Sequence, residues 1–225
     1  MYKKTLALNQ EILRQSFLLF LQNGYEGTTT REIAAACNIK RGVLHYHFNQ
    51  KQDILFELYR QFYAFLYASI NEQFAGEDES VLIVISDMLL YRILLTSPPL
   101  TRMMVSVMRN RDLTKGKIDE TSRVVKDRLP QVDYSKIHFA LSIAIGAEAE
   151  LILQLTEGEI SLSLDELARW VSGLSLSALG YSSGDIARFY SRALECANKF
   201  DKKAFARKME QNAAWFHPRD LLTSN

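Results

Sequence analysis

The sequence contains few of the residues that punctuate β-sheets or cross-link small folds. Among its 225 residues there are ten glycines, four prolines and two cysteines. Cys37 and Cys196 lie far apart, which matches neither a disulfide framework nor a metal-ligand spacing. Strand-type alternation of polar and apolar residues is rare. We therefore expect a helical protein from a reducing compartment, the cytoplasm.

Long uninterrupted apolar runs are also missing, although 48% of the residues are hydrophobic. A helix needs ~20 apolar residues to cross a bilayer, and the most apolar stretch, residues 81–95, is interrupted by Ser86, Asp87 and Arg92. The first ten residues lack the apolar core and the cleavage site of a signal peptide. We expect no membrane partner, and a core large enough for one compact body with a small appended domain.

Signatures of common enzymes are absent as well. The sequence has no phosphate-binding glycine loop, no histidine or cysteine cluster with zinc-ligand spacing, and no nucleophile elbow. His45 and His47 are two residues apart, so on a helix they face different directions and make a poor metal pair. These observations argue against an enzyme and indicate neither a cofactor nor a metal.

What the sequence does have is an uneven distribution of charge. Residues 1–60 hold eight Lys and Arg against five Asp and Glu, whereas the whole chain carries a net charge of only +1. No acidic residue occurs from Ile33 to Gln52, a stretch that includes Lys40, Arg41 and Lys51. A basic patch at one end of a near-neutral protein suggests a polyanionic partner, although a solvated cluster of cations would look the same.

Apolar residues recur at helical spacing along almost the whole chain. Leu13, Phe17 and Phe20 share one face of a first helix that we expect to end at Gly24. The remaining breaks are expected at Gly76, 97–99, Gly116, Pro130, Gly158 and 182–184. The predicted helices of this all-α fold are 9–23, 30–37, 41–47, 51–74, 80–96, 99–109, 117–128, 134–156, 164–179, 184–200 and 201–216.

Two of the predicted helices are short and are separated by a tight turn, which is the pattern of a helix-turn-helix. Thr29 and Glu32 have the spacing of a capping box at the start of the first, and Asn38 suits the positive φ of the turn. The second, 41–47, could enter the major groove of B-DNA with its polar face outward. We expect the buried face to consist of Ile33, Ala34, Cys37, Ile39, Leu44 and Phe48.

The segment GYEGTTTREIAAACNIKRGVLHYHFNQKQDIL resembles the N-terminal signature of TetR-family (tetracycline-repressor-type) transcriptional regulators. The resemblance covers a fifth of the chain and implies an N-terminal three-helix helix-turn-helix domain, residues 1–50. It further implies a larger helical ligand-binding and dimerisation domain, residues 51–225, and double-stranded DNA as a partner. The matching residues are Gly24-Tyr25, Thr28-Thr29, Ile33-Ala34, Gly42, Leu44, Phe48 and Lys51.

The resemblance also implies roles for single residues. Arg41 and Val43 would read bases, and Gly42 would let the helix approach the DNA backbone closely. Three residues depart from the family pattern: Lys40 stands where a capping serine or threonine is common, Asn38 replaces the usual turn glycine, and His45 replaces the usual tyrosine. The residues expected to contact DNA are Thr29, Arg31, Lys40, Arg41, Val43, His45, Tyr46, His47 and Lys51.

Two heads held about one helical turn of DNA apart would read a palindromic operator, so we expect a homodimer. Small and apolar residues on 134–156 and 164–179 could build a four-helix interface, or could pack within one chain. The residues predicted for this interface are Ala140, Ala144, Ala147, Leu151, Gly173, Leu174, Ser177 and Gly180.

Aromatic residues and methionines of the body could line an apolar cavity for a small-molecule effector, although each is also an ordinary core residue. Glu148 could orient a polar or cationic group of that effector. The predicted ligand set is Phe62, Tyr63, Met103, Met104, Met108 and Glu148.

The sequence therefore predicts a cytoplasmic, ligand-responsive transcriptional regulator, a repressor that a small apolar or aromatic molecule releases from its operator. The alternative is a helical protein-interaction module that uses the helix-turn-helix as a scaffold. Binding to duplex DNA that weakens steeply with salt separates the two.

Overall fold

The computed structural model describes residues 2–212 and, within them, the side chains of residues 6–209. Every regular element in this part of the chain is an α-helix, which confirms the all-α prediction. Of the helix predicted at 201–216, residues 213–216 lie outside the described residues, as do His217 and Pro218. The helices are α1 (Tyr2–Gly27), α2 (Thr30–Ala36), α3 (Arg41–His47), α4 (Lys51–Gln73), α5 (Glu79–Leu94), α6 (Pro98–Arg109), α7 (Arg111–Arg128), α8 (Tyr134–Glu157), α9 (Leu164–Leu179), α10 (Ser183–Lys199) and α11 (Lys202–Asn212).

Two helices differ clearly from their predicted bounds. α1 begins at Tyr2 instead of residue 9, and α7 begins at Arg111 instead of residue 117. The side-chain oxygen of Asn110 accepts hydrogen bonds from two backbone amides of the first turn of α7, which caps the helix six residues early. The predicted break at Gly116 is wrong, because this glycine lies inside α7, where it weakens the helix without ending it.

The predicted end of the first helix at Gly24 is a kink. Gly24 has φ 76° and ψ 164°, a conformation that residues with a Cβ rarely adopt, and one more helical turn then reaches Gly27. The hydroxyl of Thr28 donates a hydrogen bond to the carbonyl of Gly24 over 2.8 Å, which holds the kink in place. The direction of the chain entering α2 is fixed in this way.

The chain forms two compact units. Unit 1 comprises residues 1–65, 97–106 and 201–225, and its described part contains α1, α2, α3, α11, most of α4 and most of α6. Unit 2 comprises residues 66–96 and 107–200, with α5, α7, α8, α9 and α10. The predicted boundary between residues 50 and 51 stays a prediction.

The core of unit 1 joins α1 to the two short helices. Ile12 and Phe20 of α1 are almost completely buried, as are Ile33 of α2 and Leu44 of α3. Burying side chains of this size gives about 1.5–3 kcal/mol each, which holds helices too short to be stable alone. In the same unit Phe205 of α11 packs edge-on against Phe62 of α4, with ring centroids 6.3 Å apart.

In unit 2, α5 is enclosed on all sides. All of its residues from Ser80 to Tyr91 are buried except Asp87. α5 packs against α9 and α10, while α8 packs against α7 and α9. Arg92 of α5 makes a two-pronged ion pair with Asp165 of α9, both distances being 2.8 Å.

Among the described helices, α8 alone is long and apolar enough to cross a membrane by length and composition. The expectation from the sequence that no apolar stretch approaches the length of a membrane-spanning helix therefore does not hold for α8. A single helix of this kind is weak evidence for a membrane span, since the core helix of a soluble protein and a signal sequence pass the same test. Only 28% of its apolar window is buried within the chain, and three large apolar residues of α8 are exposed, namely Tyr134, Phe139 and Ile143.

Candidate nucleic-acid interface

The predicted helix-turn-helix is present in unit 1 and its local geometry follows from its sequence. The side-chain oxygen of Thr29 accepts a hydrogen bond from the amide of Glu32, and the Glu32 carboxylate accepts one from the amide of Thr29 over 2.7 Å. This confirms the capping box. Asn38 has φ 53°, which confirms the left-handed turn residue and redirects the chain into α3.

The start of α3 differs from that of α2. Lys40 occupies the N-cap position but makes no hydrogen bond from its side chain to the helix. The ammonium group of Lys40 is therefore not used to cap the helix, and the residue is exposed. A positive charge at a helix N-terminus opposes the helix dipole, so Lys40 weakens α3 slightly while it adds charge to the outer surface.

α3 has one buried and one exposed face. Leu44 is completely buried against the rest of the head, whereas Val43 is 39% exposed and Tyr46 is 84% exposed. His47 is half-buried and meets the ring of Tyr46 edge-on, with centroids 5.4 Å apart. An exposed tyrosine and valine on a seven-residue helix leave apolar surface open to a partner outside the chain.

A chain of hydrogen bonds orders the polar side of α3. Nε of Arg41 donates to Nε2 of His45 over 3.1 Å, and Nδ1 of His45 lies 2.9 Å from the carbonyl oxygen of Asn49. With Nε2 accepting, the neutral ring carries its proton on Nδ1 and donates it to that carbonyl. His45 thus orients the guanidinium of Arg41, whose other N–H donors can still contact a base or phosphate.

Gly42 lies on the exposed side of α3, and the fold of the chain does not require a glycine there. Its φ is not positive, and a Cβ added to it would meet nothing within 4 Å. A glycine in a helix costs roughly 0.5–1 kcal/mol relative to alanine. The absence of a side chain at this position therefore has no reason within the described part of the chain, and close approach by a partner would supply one.

Lys51, at the start of α4, is directed into the head. Its Nζ donates hydrogen bonds to the carbonyl oxygens of Tyr25, at 2.5 Å, and Thr28, at 2.8 Å, and lies 4.1 Å from the centroid of the Tyr25 ring. Burial lowers the pKa of Lys51, while the carboxylates of Glu26 and Glu32 oppose the shift. Two of its three N–H donors join α4 to the link between α1 and α2.

The other residues predicted to contact DNA lie at the surface of the same unit. Arg31, near the N-terminus of α2, is exposed. The hydroxyl of Thr29 already donates to the Glu32 carboxylate over 2.8 Å while it accepts from the amide of Glu32. Unit 1 thus brings Arg31, Lys40, Arg41, Val43 and Tyr46 to its exposed side, while Lys51 and the Thr29 hydroxyl have partners within the chain.

The residues predicted for the dimer interface are divided between the interior and the surface of unit 2. Ala140 and Ala144 are buried within the chain, whereas Ser177 and Gly180 are exposed. The other four, Ala147, Leu151, Gly173 and Leu174, are half-buried.

The sequence reasoning did not identify the large exposed apolar residues of the same two helices. Phe139 is 62% exposed, Ile143 is 40% exposed and Trp170 is 61% exposed. Gly146 shares the exposed face of α8, and a Cβ there would meet nothing within 4 Å. Helical spacing alone could have grouped residues 139, 143 and 146 on one face.

The predicted ligand residues are mostly buried. Phe62, Tyr63, Met103 and Met104 belong to unit 1, and Met108 and Glu148 belong to unit 2. Glu148 has partners within the chain: it accepts hydrogen bonds from Tyr91 at 2.9 Å and from the ammonium of Lys117 at 2.5 Å. Lys117 and the nearby Asp87 were not predicted, although a charge inside the apolar run 81–95 is a signal for the latter.

Comparison with known proteins gives the same assignment for the head. Residues 12–58 match the family model described as "Bacterial regulatory proteins, tetR family". The segment is 40% identical over 47 residues to the biofilm operon icaADBC HTH-type negative transcriptional regulator IcaR of Staphylococcus aureus, which is 21% of this chain and 25% of that protein. IcaR of Staphylococcus epidermidis is 36% identical over 47 residues. The chain spans about a quarter of the length of these curated relatives.

Solved structures of similar chains extend further but are less alike. TylP, a TetR regulator from Streptomyces fradiae, has 18% identity and a TM-score of 0.45, covering 86% of this chain and 97% of TylP. The fatty acid degradation regulator FadR from Bacillus halodurans has 13% identity and a TM-score of 0.43, covering 78% and 96%. The informative similarity is therefore the N-terminal one, and the proteins that share it are transcriptional regulators, not enzymes.

Proposed function

Since its N-terminal domain is that of TetR-family transcriptional regulators, we propose that this chain binds a palindromic DNA operator as a homodimer and represses transcription until a small molecule releases it. The head would supply the DNA contacts and unit 2 the dimer contacts. The chain would act in the cytoplasm as a soluble protein.

The exposed side of α3 is the observation that carries the proposal. It presents Arg41 and Lys40 as donors, Val43 and Tyr46 as apolar contacts, and Gly42 as a gap in the side-chain layer. A helix with these properties suits the major groove, where arginine reads guanine and apolar groups meet the thymine methyl. Arg31 at the start of α2 is suited to phosphate.

The apolar face of α8 and α9 supports a dimer. A chain that exposes Phe139 and Trp170 by more than half of their area presents large apolar side chains that another surface is expected to cover. A second copy fits, because a pair of helices from each subunit forms a four-helix interface about a two-fold axis. Gly146 on the same face would let two α8 helices come close.

The proposed response to an effector requires two states of the dimer. In one, the two heads lie about one helical turn of DNA apart and bind successive major grooves. An effector with higher affinity for a second state, with a different head spacing, would release the operator. The proposal therefore includes two dimer states that differ in head spacing. In an activator, the effector would instead favour the state that binds the operator.

Binding to duplex DNA tests the function directly. The full chain is titrated into labelled duplexes from the region upstream of its own gene, and fluorescence anisotropy is followed between about 50 and 200 mM salt. The proposal expects a specific complex at nanomolar protein, with affinity falling by orders of magnitude over this range. An interaction module would not bind the duplex, and that result would reject the proposal.

Substitution of Arg41 tests the role of α3. Arg41→Ala should weaken binding to the specific duplex by about 1–3 kcal/mol and relax base preference at one position of each half-site. Arg188→Ala on α10 removes an equally exposed arginine from unit 2 and serves as the control. Equal effects of the two substitutions would contradict the assignment of α3 as the reading helix.

A further inference from the structure

A group of charged and polar side chains lies inside unit 2, and four helices contribute to it. α5 provides Asp87 and Tyr91, one turn apart, and α7 provides Lys117. α8 provides Glu148 and α9 provides Ser172. Glu148 accepts hydrogen bonds from Tyr91 and Lys117, and Ser172 donates to Asp87 over 2.9 Å. We refer to these five residues as the polar cluster.

The charges of the polar cluster are not balanced. The ammonium of Lys117 matches the carboxylate of Glu148, and both residues are at least 95% buried. The Asp87 carboxylate receives its hydrogen bond from a neutral hydroxyl, and in the described part of the chain no ion pair includes it. Two carboxylates therefore face one ammonium, which leaves one negative charge in excess when Asp87 is ionised.

Asp87 also differs from its surroundings in accessibility. Ile83 and Val84, one turn earlier on α5, are buried, and so are Met88 and Tyr91. Asp87 keeps accessible area although the helix around it is enclosed on all sides. Of the two carboxylates in the polar cluster, Asp87 keeps accessible area and Glu148 is buried, and buried apolar side chains of α5 lie beside Asp87.

The ionised form of Asp87 lowers the stability of the folded chain. Burial raises the pKa of Asp87 to about 7, the Glu148 carboxylate adds to the rise, and Ser172 and Lys117 oppose it. An ionised carboxylate at this position costs folding free energy because the loss of water outweighs the stabilisation by the Ser172 hydroxyl and the Lys117 ammonium. Perturbed carboxylates occur at functional sites and in structural ion-pair networks, and in the described part of the chain no ion pair includes Asp87.

We propose that the polar cluster is the effector site of this regulator and that its effector is a small organic cation, an apolar body carrying one protonated amine that pairs with Asp87. Tyr91 and Ser172 border the cationic end, and the apolar residues of α5 contact the rest of the molecule. Glu148, which the sequence suggested as the effector contact, instead pairs with Lys117, so the polar cluster keeps one negative charge in excess when Asp87 is ionised. The inference rests on the proposed regulatory function.

Three probes of one shape test the charge preference. Phenylbutylamine, phenylbutanol and phenylbutyrate share an apolar body and differ in carrying a cation, a neutral hydroxyl or an anion. Each is titrated into the full-length protein at about pH 8 by isothermal titration calorimetry, without DNA. The amine should bind at least tenfold more tightly than the alcohol, and the carboxylate should bind most weakly, because it adds a further negative charge.

Three variants locate the site. Asp87→Asn, which keeps the shape of the side chain, should lose the amine at least tenfold and bring its affinity to that of the alcohol. Asp127→Asn removes the same charge from an exposed position of α7 and should change nothing. Ser172→Ala disturbs the same contact without removing the charge, and the amine should stay within about threefold of wild type.

The outcomes distinguish this inference from the function beneath it. Equal binding of amine and alcohol, unchanged binding of the amine to Asp87→Asn, or no binding of the amine at millimolar concentration would each overturn the cation site. Anisotropy with the operator duplex is measured in parallel, with and without the amine. Operator binding without amine binding rejects the site alone, whereas amine binding without operator binding rejects the regulatory function alone.

Discussion

Substitution of Gly42 by alanine separates the contribution of this residue to folding from its contribution to binding. In the chain itself the added methyl group meets nothing within 4 Å and the φ is ordinary, so no strain opposes it. Alanine is favoured over glycine by roughly 0.5–1 kcal/mol inside a helix. Gly42 lies in the first turn of α3, so we expect the lower part of this range, about 0.5 kcal/mol, and a rise in Tm of about 1–2 °C.

DNA binding should change in the opposite direction. If α3 lies in the major groove with Gly42 against the DNA backbone, the methyl group separates the two surfaces. We expect at least a tenfold loss of affinity, about 1.4 kcal/mol, with an unchanged dependence on salt because no charge is lost. Thermal unfolding and fluorescence anisotropy, measured on the same preparation, give the two numbers.

Gly184 provides a matched control. It is the second residue of α10, as Gly42 is of α3, it is exposed, and a Cβ there would meet only Ser182 at the ordinary distance of 3.8 Å. Gly184→Ala should therefore raise Tm by a similar amount and leave DNA binding unchanged. Wild-type affinity for the operator in Gly42→Ala would refute the proposed placement of α3, and a lower Tm would refute the claim that the chain has room for the methyl group.

Three further substitutions test other parts of the account. Gly146→Ala should stabilise α8 by about 0.5–1 kcal/mol and yet raise the dimer dissociation constant at least tenfold by analytical ultracentrifugation; unchanged dimerisation would place the interface elsewhere. Asp87→Asn should raise the free energy of unfolding by about 2–4 kcal/mol above pH 7, and this gain should vanish near pH 4. The reason is that the pKa of Asp87 in the folded state, about 7, exceeds its ordinary value of 3.8, so the stability of the wild type falls as pH rises between these two values. Chemical denaturation at several pH values measures the gain, and a gain that is independent of pH would contradict the prediction. Lys51→Met should lower the free energy of unfolding by about 1–3 kcal/mol, because the carbonyl groups of Tyr25 and Thr28 lose their hydrogen-bond donor. The slope of the logarithm of DNA affinity against the logarithm of salt concentration should stay unchanged. A slope smaller by about one would show that Lys51 contacts a phosphate instead.

The features that the sequence predicted correctly depend on neighbouring residues. The capping box at Thr29 and Glu32 closes within one turn, and Asn38 takes its positive φ because of its own side chain. The bounds of α3 follow from the same local rules. The error at Gly116 has the same origin, since the cap at Asn110 decides where α7 begins and the glycine inside the helix is only a penalty.

The features that could not be predicted depend on contacts between distant residues. Lys51 bonds carbonyl groups 26 and 23 residues away, and Lys117 reaches Glu148 across 31 residues. Ser172 lies 85 residues from Asp87. Helical periodicity places a side chain on a face, but it does not say which other helix covers that face. The sequence alone therefore could not name the partners within the chain of Lys51 and Glu148.

Gly42, Gly146 and Asp87 share a property that links the proposals. At each of them another residue of similar or slightly larger size would make the folded chain more stable. Alanine would do so at the two glycines, because nothing fills the space of a Cβ, and asparagine would do so at Asp87, because burial of the charge outweighs the stabilisation by Ser172 and Lys117. Residues that reduce stability without compensation inside the chain are expected where a partner lies outside it. These three positions belong to the proposed contacts with DNA, with a second copy and with the effector. A substitution at one of these positions that raises stability and weakens only the corresponding binding would support that surface, independently of the other two. A variant that is more stable and still binds DNA, the second copy and the effector as the wild type does would show that its position belongs to none of these surfaces.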